Sequence, residues 1–223
     1  MRLPAPPSLP PRAAVTTAPN TPLPVSGLRA TGQRVAAARA APWALVLALA
    51  GTTGHAQAAG FCGSLASYPV RPLIGGDATD LCRSDAKALL VVNTASACGY
   101  TPQYEGLEKL HQRYGKSGLR VVAVPANDFG AQESGSNTQI AEFCSLNYGV
   151  SFTVTEKLAT PIGRDPLFAQ LVRQSGQAPR WNFHKYLIPP DGQVRSFASA
   201  VTPQSKQLTA AIEAALGPAT LAR

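Results

Sequence analysis

The 223-residue sequence contains few of the residues that mark several classes of protein. Charged residues make up 14% of the sequence and aromatic residues 7%, and Met1 is the only methionine. The four cysteines contain no C-x-x-C spacing, which excludes a zinc knuckle and a dithiol redox motif. The two histidines of the later sequence, His111 and His184, match no metal-ligand spacing. We therefore expect neither a metal nor another cofactor.

Residues 1–58 resemble a leader for export. An apolar run from Ala41 to Gly51 follows several arginines and precedes the small-residue triplet ending at Ala58. A basic flank, a short apolar core and an A-x-A site predict a secretory signal peptide that is cleaved after Ala58. The mature protein is then periplasmic or secreted. The run is short for a bilayer, so we expect no stable membrane insertion, with a retained N-terminal anchor as the alternative.

The leader is longer than an export signal requires, and it contains no acidic residue. We interpret residues 1–27 as a misassigned start, with translation beginning near Leu28 or Val35. Five of the 20 basic residues precede position 59, which leaves 15 of them against 12 acidic residues in the rest of the sequence. A surface with this mixture of charges gives no basic footprint, so we expect no nucleic-acid partner.

Hydrophobic patterns predict an irregular N-terminal cap over residues 59–86 and one α/β domain over residues 87–217. Continuous apolar runs at 87–94 and 119–126 predict buried parallel strands. Thr101-Pro102 predicts the start of a helix between them, with Thr101 as its cap. Further patterns predict a helix capped by Ser136, a helix after Asp165, a hairpin turning at Asp191-Gly192, and a last helix from Thr202-Pro203. The order β-α-β-α-α-β-β-α predicts a mixed central sheet flanked by helices.

Three separated blocks of the sequence resemble one family in their order and spacing. The blocks are NTASACGYTPQYEGLEKLHQRYGKSGL, VPANDFGAQESGS with IAEFCSLNYGVSF, and RWNFHKYLIPPDG. They resemble the glutathione peroxidase family in its cysteine form, over about residues 87–216. The resemblance implies a thioredoxin-like fold and the reduction of hydroperoxides. It also implies a catalytic set formed by Cys98, Gln132, Trp181 and Asn182.

The residue types in this set suit peroxide chemistry. A thiolate must attack one oxygen of an O–O bond while the other oxygen leaves. Cys98 precedes a predicted helix N-terminus, whose positive dipole end favours the thiolate. Gln132, Trp181 and Asn182 supply uncharged N–H donors for the leaving oxygen. Taken singly, each residue also has a structural interpretation, since a lone cysteine is often a small buried hydrophobe.

The sequence departs from the common family pattern at Ala126, Asp128 and Ser134, none of which belongs to the proposed catalytic set. Many relatives have a cysteine at the first of these positions, so Cys144 is the remaining candidate partner for Cys98. In thioredoxin-dependent members the cysteine at this position resolves the sulfenic acid as a disulfide. We therefore expect a thioredoxin-like reductant. Packing is the alternative role of Cys144, and small thiols are the alternative reductant.

Cys62 and Cys82 precede the first core strand, outside the three blocks. Because an exported chain meets an oxidising compartment, we predict a structural disulfide between them that ties the N-terminal cap. The alternatives are two free thiols or a lipid on Cys62, although Phe61 stands where a lipoprotein signal needs a small residue.

Two further expectations concern the whole protein. Tetrameric relatives carry a longer insertion before their W-N-F block than the short segment at 173–179 here, so we expect a monomer. The same short segment favours access for bulky lipid hydroperoxides. The functional alternatives are a disulfide exchanger, a metal-delivery module or an inert binding protein on the same fold, and the missing cysteine motifs count against the first two.

Overall fold

The computed structural model describes residues 68–83, 86–159 and 161–217. The predicted signal peptide, its cleavage site, the suggested later start and Cys62 lie outside these residues. The described part contains a two-stranded hairpin, a five-stranded mixed sheet and four α-helices. The thioredoxin-like arrangement and the flanked mixed sheet agree with the fold predicted from the sequence.

The strands form two sheets. The hairpin joins β1 (Pro69–Val70) to β2 (Thr79–Asp80). The larger sheet has the order β5-β4-β3-β6-β7, in which β3, β4 and β5 run parallel and β6 and β7 are antiparallel to their neighbours. Its members are β3 (Ala88–Thr94), β4 (Leu119–Pro125), β5 (Thr153–Val154), β6 (Lys185–Ile188) and β7 (Arg195–Phe197).

The helices cover both faces of this sheet. They are α1 (Gln103–Tyr114), α2 (Asn137–Tyr148), α3 (Pro166–Ser175) and α4 (Lys206–Leu216). Alternate residues of β3 point to opposite faces, as the period of a strand requires. Leu90 and Val92 join a core layer with α1, α2 and α4, while Leu89 and Val91 join a second layer with α3. Both faces of β3 are therefore buried, which explains its unbroken apolar run.

Helix capping agrees with the sequence prediction at α2 and α3 and differs at the other two helices. Ser136 and Gln139 form the predicted capping box of α2, and Asp165 caps α3 through the Phe168 N–H. Thr101 does not cap α1, because its hydroxyl accepts a hydrogen bond from the Cys98 N–H instead. The last helix begins at Lys206 with Ser205 as its cap, four residues after the predicted start.

The cap region is more regular than the sequence predicts. It contains the β1–β2 hairpin and a single 3-10 turn over Leu81–Arg83. The Tyr68 hydroxyl donates a 2.7 Å hydrogen bond to Asp165, which attaches this region to the start of α3. The short strand β5 was not predicted. Within the described residues, no helix is long and apolar enough to cross a membrane.

Candidate active site

Cys98 lies in the turn between β3 and α1, where its sulfur faces backbone donors. The Tyr100 N–H donates to the Cys98 Sγ at 3.4 Å. The Cys98 N–H donates to the Thr101 hydroxyl at 3.0 Å, and this hydroxyl donates to the Ala95 carbonyl at 2.9 Å. The turn is therefore closed by the threonine side chain, and the sulfur sits just before the first turn of α1, where the helix dipole favours an anion.

The thiol is nearly covered, but the space beside it is open. Cys98 is 7% exposed, and its neighbour Gly99 is exposed, with no atom within 4 Å of the position that a Cβ would take. The chain next to the cysteine is therefore open on the side of Gly99.

Gln132 lies in a loop after β4 that is attached directly to the cysteine turn. The Ala97 N–H donates to the Gln132 carbonyl at 3.0 Å. The Ser96 hydroxyl donates to the Glu133 carboxylate at 3.2 Å, and the Glu133 N–H donates to Asn127 at 2.8 Å. Glu133 is 1% exposed, and burial raises the pKa of its carboxyl group. Ser96 and Ala97 of the cysteine turn therefore bond to Glu133 and Gln132, and these two contacts hold the loops together.

Asn182 connects the third block to this pair of loops. It is fully buried, and its Nδ2 donates to the Gln132 Oε1 at 3.0 Å and to the Phe129 carbonyl at 3.3 Å. Since the oxygen end of the Gln132 amide faces Asn182, the nitrogen end of that amide is left to donate elsewhere. The structure thus brings the side chains of Gln132 and Asn182 into contact, beside the loop that carries Cys98.

Trp181 is the exposed member of the predicted set. It is 39% exposed and is one of three large exposed hydrophobic residues in the described part of the chain. The indole packs against Phe129, with 6.1 Å between ring centroids, and close to Gly130. An aromatic surface with a single polar N–H therefore lies against the loop that carries Gln132.

Two residues next to the predicted donors have an unusual backbone conformation. Ala131, directly before Gln132, has φ 51°, and Phe183, directly after Asn182, has φ 63°. Non-glycine residues in this left-handed region cost of the order of 1–3 kcal/mol and persist only where the surroundings impose them. They are the two positive-φ residues other than glycine in the described residues, and both flank an amide of the candidate site.

Asn93 is a further residue of the site that the sequence did not reveal. It is fully buried at the end of β3, and its Nδ2 donates to the Trp181 carbonyl at 3.1 Å. Its Oδ1 accepts from the His184 N–H at 3.0 Å. Its backbone carbonyl accepts from the Phe183 N–H at 2.6 Å. A polar residue inside an otherwise apolar strand was the available signal, because buried amides need partners.

Cys144, the predicted resolving residue, is a buried thiol on α2. It is 3% exposed and belongs to the same core layer as Cys98. Burial raises the pKa of the Cys144 thiol to about 11, and the nearby Glu133 carboxylate contributes to the rise while the Tyr104 hydroxyl opposes it. Cys98 and Cys144 are free thiols in this structure. Cys144 is therefore neutral and covered at neutral pH, as a packed side chain is.

The remaining positions that the sequence singles out make packing contacts or structural hydrogen bonds. Ala126 is fully buried in the second core layer. Asp128 accepts a 2.8 Å hydrogen bond from the Ile162 N–H. Cys82 packs against the second core layer, and its proposed partner Cys62 lies outside the described residues. Within the described residues, no group of three or more histidine, cysteine or acidic side chains could hold a metal.

Comparison with known proteins supplies the family. The glutathione peroxidase family model matches residues 67–172. The glutathione peroxidase of Lactococcus lactis subsp. cremoris is 42% identical over 141 residues, which is 60% of this chain and 89% of the relative. The chain belongs to the glutathione peroxidase family. The hydroperoxy fatty acid reductase Gpx2 of Synechocystis is 47% identical over 133 residues, which is 59% of this chain and 86% of the relative.

A solved structure also matches this glutathione peroxidase family member. The crystal structure of Trgpx in apo form superposes with a TM-score of 0.51 and 32% identity, over 70% of this chain and 99% of the other. The enzyme is thus a thiol-dependent peroxidase with a thioredoxin-like fold, and it uses a hydroperoxide and a thiol reductant.

Proposed function

We propose that this enzyme reduces hydrogen peroxide and organic or lipid hydroperoxides through a sulfenic acid on Cys98. Cys144 resolves this intermediate as a disulfide, and a thioredoxin-like protein reduces the disulfide. Gln132 and Trp181 act as neutral hydrogen-bond donors. Asn182, whose two amide N–H groups are used by Gln132 and Phe129, orients the Gln132 amide so that its nitrogen end can donate. We further propose that the enzyme works in the periplasm or outside the cell, because of the signal-like leader.

The hydrogen bond from Asn182 to Gln132 is the observation that carries this proposal. It joins two side-chain amides that are 50 residues apart in the sequence. The backbone carbonyl of Gln132 also accepts a hydrogen bond from the Ala97 N–H in the cysteine turn. The amide pair therefore lies beside the turn that carries Cys98. Neutral amides can polarise an oxygen without protonating the sulfur, which is what the first step needs.

In the first step the Cys98 thiolate attacks one oxygen of the hydroperoxide. The S–O bond forms as the O–O bond breaks, and the second oxygen leaves as water or an alcohol after it takes a proton. The sulfur is oxidised to the sulfenic acid and the peroxide is reduced. The amide and indole N–H groups stabilise the negative charge that develops on the leaving oxygen.

In the second step the Cys144 sulfur attacks the sulfenic sulfur. The S–S bond forms, the S–O bond breaks, and water leaves with the proton of the Cys144 thiol. Because Cys144 is covered in this structure, the C-terminal part of α2 must open first. A dithiol reductant then exchanges with the disulfide and is itself oxidised.

The half-exposed Trp181 supports the use of bulky substrates. An apolar ring at the rim of an open site can contact an acyl chain while its N–H faces the peroxide. One relative is named for the reduction of hydroperoxy fatty acids, which is consistent with this substrate class.

The test compares wild type, Cys98→Ser and Cys144→Ser in peroxide turnover with a thioredoxin donor and with glutathione. We expect Cys98→Ser to lose all turnover and to form no dimedone adduct. Cys144→Ser should form the sulfenic acid normally but stop turning over with thioredoxin, and no Cys98–Cys144 peptide should be found. Undiminished turnover of Cys98→Ser would contradict the peroxidatic role. Undiminished turnover of Cys144→Ser with thioredoxin would contradict the resolving role alone.

A further inference from the structure

A fully buried lysine lies three residues after Asn182. Lys185 is the first residue of β6, and its exposure is 0%. The three residues that follow it in the strand, Tyr186, Leu187 and Ile188, are apolar or aromatic core residues. Placing an ammonium group in such a layer is costly unless hydrogen bonds compensate it. Burial accordingly lowers the pKa of Lys185 to about 7. A leucine would avoid this cost, so the amine at this position calls for a different explanation.

The side-chain nitrogen of Lys185 donates to two backbone carbonyls. Its Nζ donates to the Phe183 carbonyl at 2.8 Å and to the Ser199 carbonyl at 3.3 Å. Phe183 is the left-handed residue next to Asn182, and its N–H is already held by the Asn93 carbonyl. Both polar backbone atoms of this strained residue therefore have a fixed partner, and the lysine supplies one of the two.

The second carbonyl links the lysine to the helix that follows Cys98. The Ser199 carbonyl also accepts a 2.8 Å hydrogen bond from the Nε2 of Gln103, the first residue of α1. The segment after Ser199 also packs closely on α1, because a Cβ on Gly106 would lie only 3.0 Å from the Pro203 side chain. One ammonium thus connects the turn that presents Asn182 with the segment that anchors the start of α1.

We propose that Lys185 is a positioning residue for hydroperoxide reduction: through the Phe183 and Ser199 carbonyls it fixes Asn182 relative to Cys98. Lys185 touches neither the thiol nor the substrate. Its effect passes through the Asn182–Gln132 hydrogen bond, so the proposal rests on the role proposed above for these amides. Loss of the ammonium leaves the thiol in place but loosens the donors that receive the leaving oxygen.

The test uses Lys185→Met, which keeps the length of the side chain and removes its donor and charge. Two rates are measured on the reduced full-length enzyme: sulfenic acid formation with hydrogen peroxide, and alkylation of Cys98 by iodoacetamide. Alkylation needs the thiolate but no leaving-oxygen donors. We expect the peroxide rate to fall about tenfold or more, as loosening of an oxyanion donor does, while alkylation stays within about twofold. Lys109→Met, at an exposed lysine of α1, is the control and should change neither rate.

A double-mutant cycle separates positioning from general damage to the fold. Because Lys185 acts through Asn182, Lys185→Met should cost little in an Asn182→Ala background, whereas independent effects would multiply. A peroxide rate within twofold of wild type, or a loss that multiplies fully with Asn182→Ala, would overturn the proposal. A wild-type rate for Asn182→Ala would overturn it together with the role proposed for Asn182 in orienting Gln132. Loss of turnover in Cys98→Ser is judged separately, so the peroxidatic role can stand when the lysine proposal fails.

Gln103→Ala provides a second variant if Lys185→Met does not fold. It removes the other hydrogen bond to the Ser199 carbonyl and leaves the buried charge in place. The proposal expects a smaller loss of peroxide rate, again without a change in alkylation and again non-multiplicative with Asn182→Ala. An unchanged peroxide rate in Gln103→Ala would then count against the proposal.

Discussion

His184 shows how strongly a single buried side chain can be affected by this environment. It is 4% exposed, and its Nε2 lies 2.7 Å from the Ser196 hydroxyl. Burial lowers the pKa of His184 to about 4, and the positive charge of Lys185 contributes. The histidine pKa of the unfolded chain is near 6.5. Between about pH 4 and 6.5 the unfolded chain therefore binds a proton at this side chain and the folded protein does not.

We predict that His184 makes the protein sensitive to acid. Its contribution to stability is complete above about pH 6.5 and is lost as the pH falls toward 4, because only the unfolded state gains the proton. By pH 5 the loss is about 2 kcal/mol. His184→Gln can keep a hydrogen bond to Ser196 without titrating, so its melting temperature should fall less than that of wild type between pH 7 and 5. Parallel melting curves for the two proteins over this range would contradict the prediction.

At the scale of single residues, the sequence predicts the candidate site residues that belong to motifs and gives no signal for those that support them. Cys98, Gln132 and Asn182 stand out as reactive or amide side chains in loops. Asn93 and Lys185 lie within strands, where a pattern of apolar residues conveys only that the position is buried. Their roles depend on contacts with residues far away in the chain, and such contacts are visible only in three dimensions.

Helix α2 is the element on which the second half of the proposed cycle depends. Its N-terminus is closed by a capping box, whereas its C-terminus ends at Gly149 with φ 57°. Two N–H groups, of Gly149 and Val150, close the last turn onto carbonyls that include that of Cys144. Opening of this end therefore frees the thiol while the beginning of the helix stays formed.

We predict that Gly149→Ala loosens this end and exposes Cys144. An alanine at this φ costs about 1 kcal/mol, and no atom lies within 4 Å of the new Cβ, so strain is the only change expected. Alkylation of Cys144 in the reduced enzyme should become about fivefold faster. Gly163→Ala is the matched control, since that position is equally open but has no positive φ, and it should leave the rate unchanged. Equal rates in the two variants would contradict the prediction.

Most elements were predictable because their patterns are local. The two long buried strands, the capping box of α2 and the hairpin of β6 and β7 are all marked by adjacent residues. The two-residue strand β5 has no such pattern, and it exists because it pairs with β4. The start of α4 was misplaced because Thr202-Pro203 has the residues of a helix start, whereas the Ser205 side chain provides the cap.

At the scale of the whole molecule, the predicted Cys62–Cys82 disulfide remains a prediction. Cys82 lies in the 3-10 turn that follows the β1–β2 hairpin, and each strand of that hairpin has two residues. Closing this loop would stabilise the fold by about 3 kcal/mol in the chain-entropy model. Non-reducing mass spectrometry of the exported protein should find the linked peptide even when Cys98 and Cys144 are reduced. Free thiols or a lipid on Cys62 would overturn this assignment and leave the peroxidase function unaffected.

We also predict a monomer. The segment between α3 and Trp181 is short, and it lacks the insertion that tetrameric relatives place there. Light scattering at micromolar concentration should give the mass of one chain, both reduced and oxidised. A tetramer would contradict the prediction and would also argue against free access for bulky substrates.

The burial of Cys144 has a consequence for how the enzyme responds to dose. Under the proposed cycle, peroxide sets the rate at which Cys98 is oxidised, while the opening of α2 sets the rate at which the sulfenic acid disappears. The first rate grows with concentration and the second does not. At low peroxide the disulfide always forms in time, and turnover continues. Above a threshold fixed by helix opening, a second peroxide reaches the waiting sulfenic acid first and converts it to the irreversible sulfinic acid. A packed side chain thus gives the enzyme an upper limit of peroxide flux beyond which it inactivates itself.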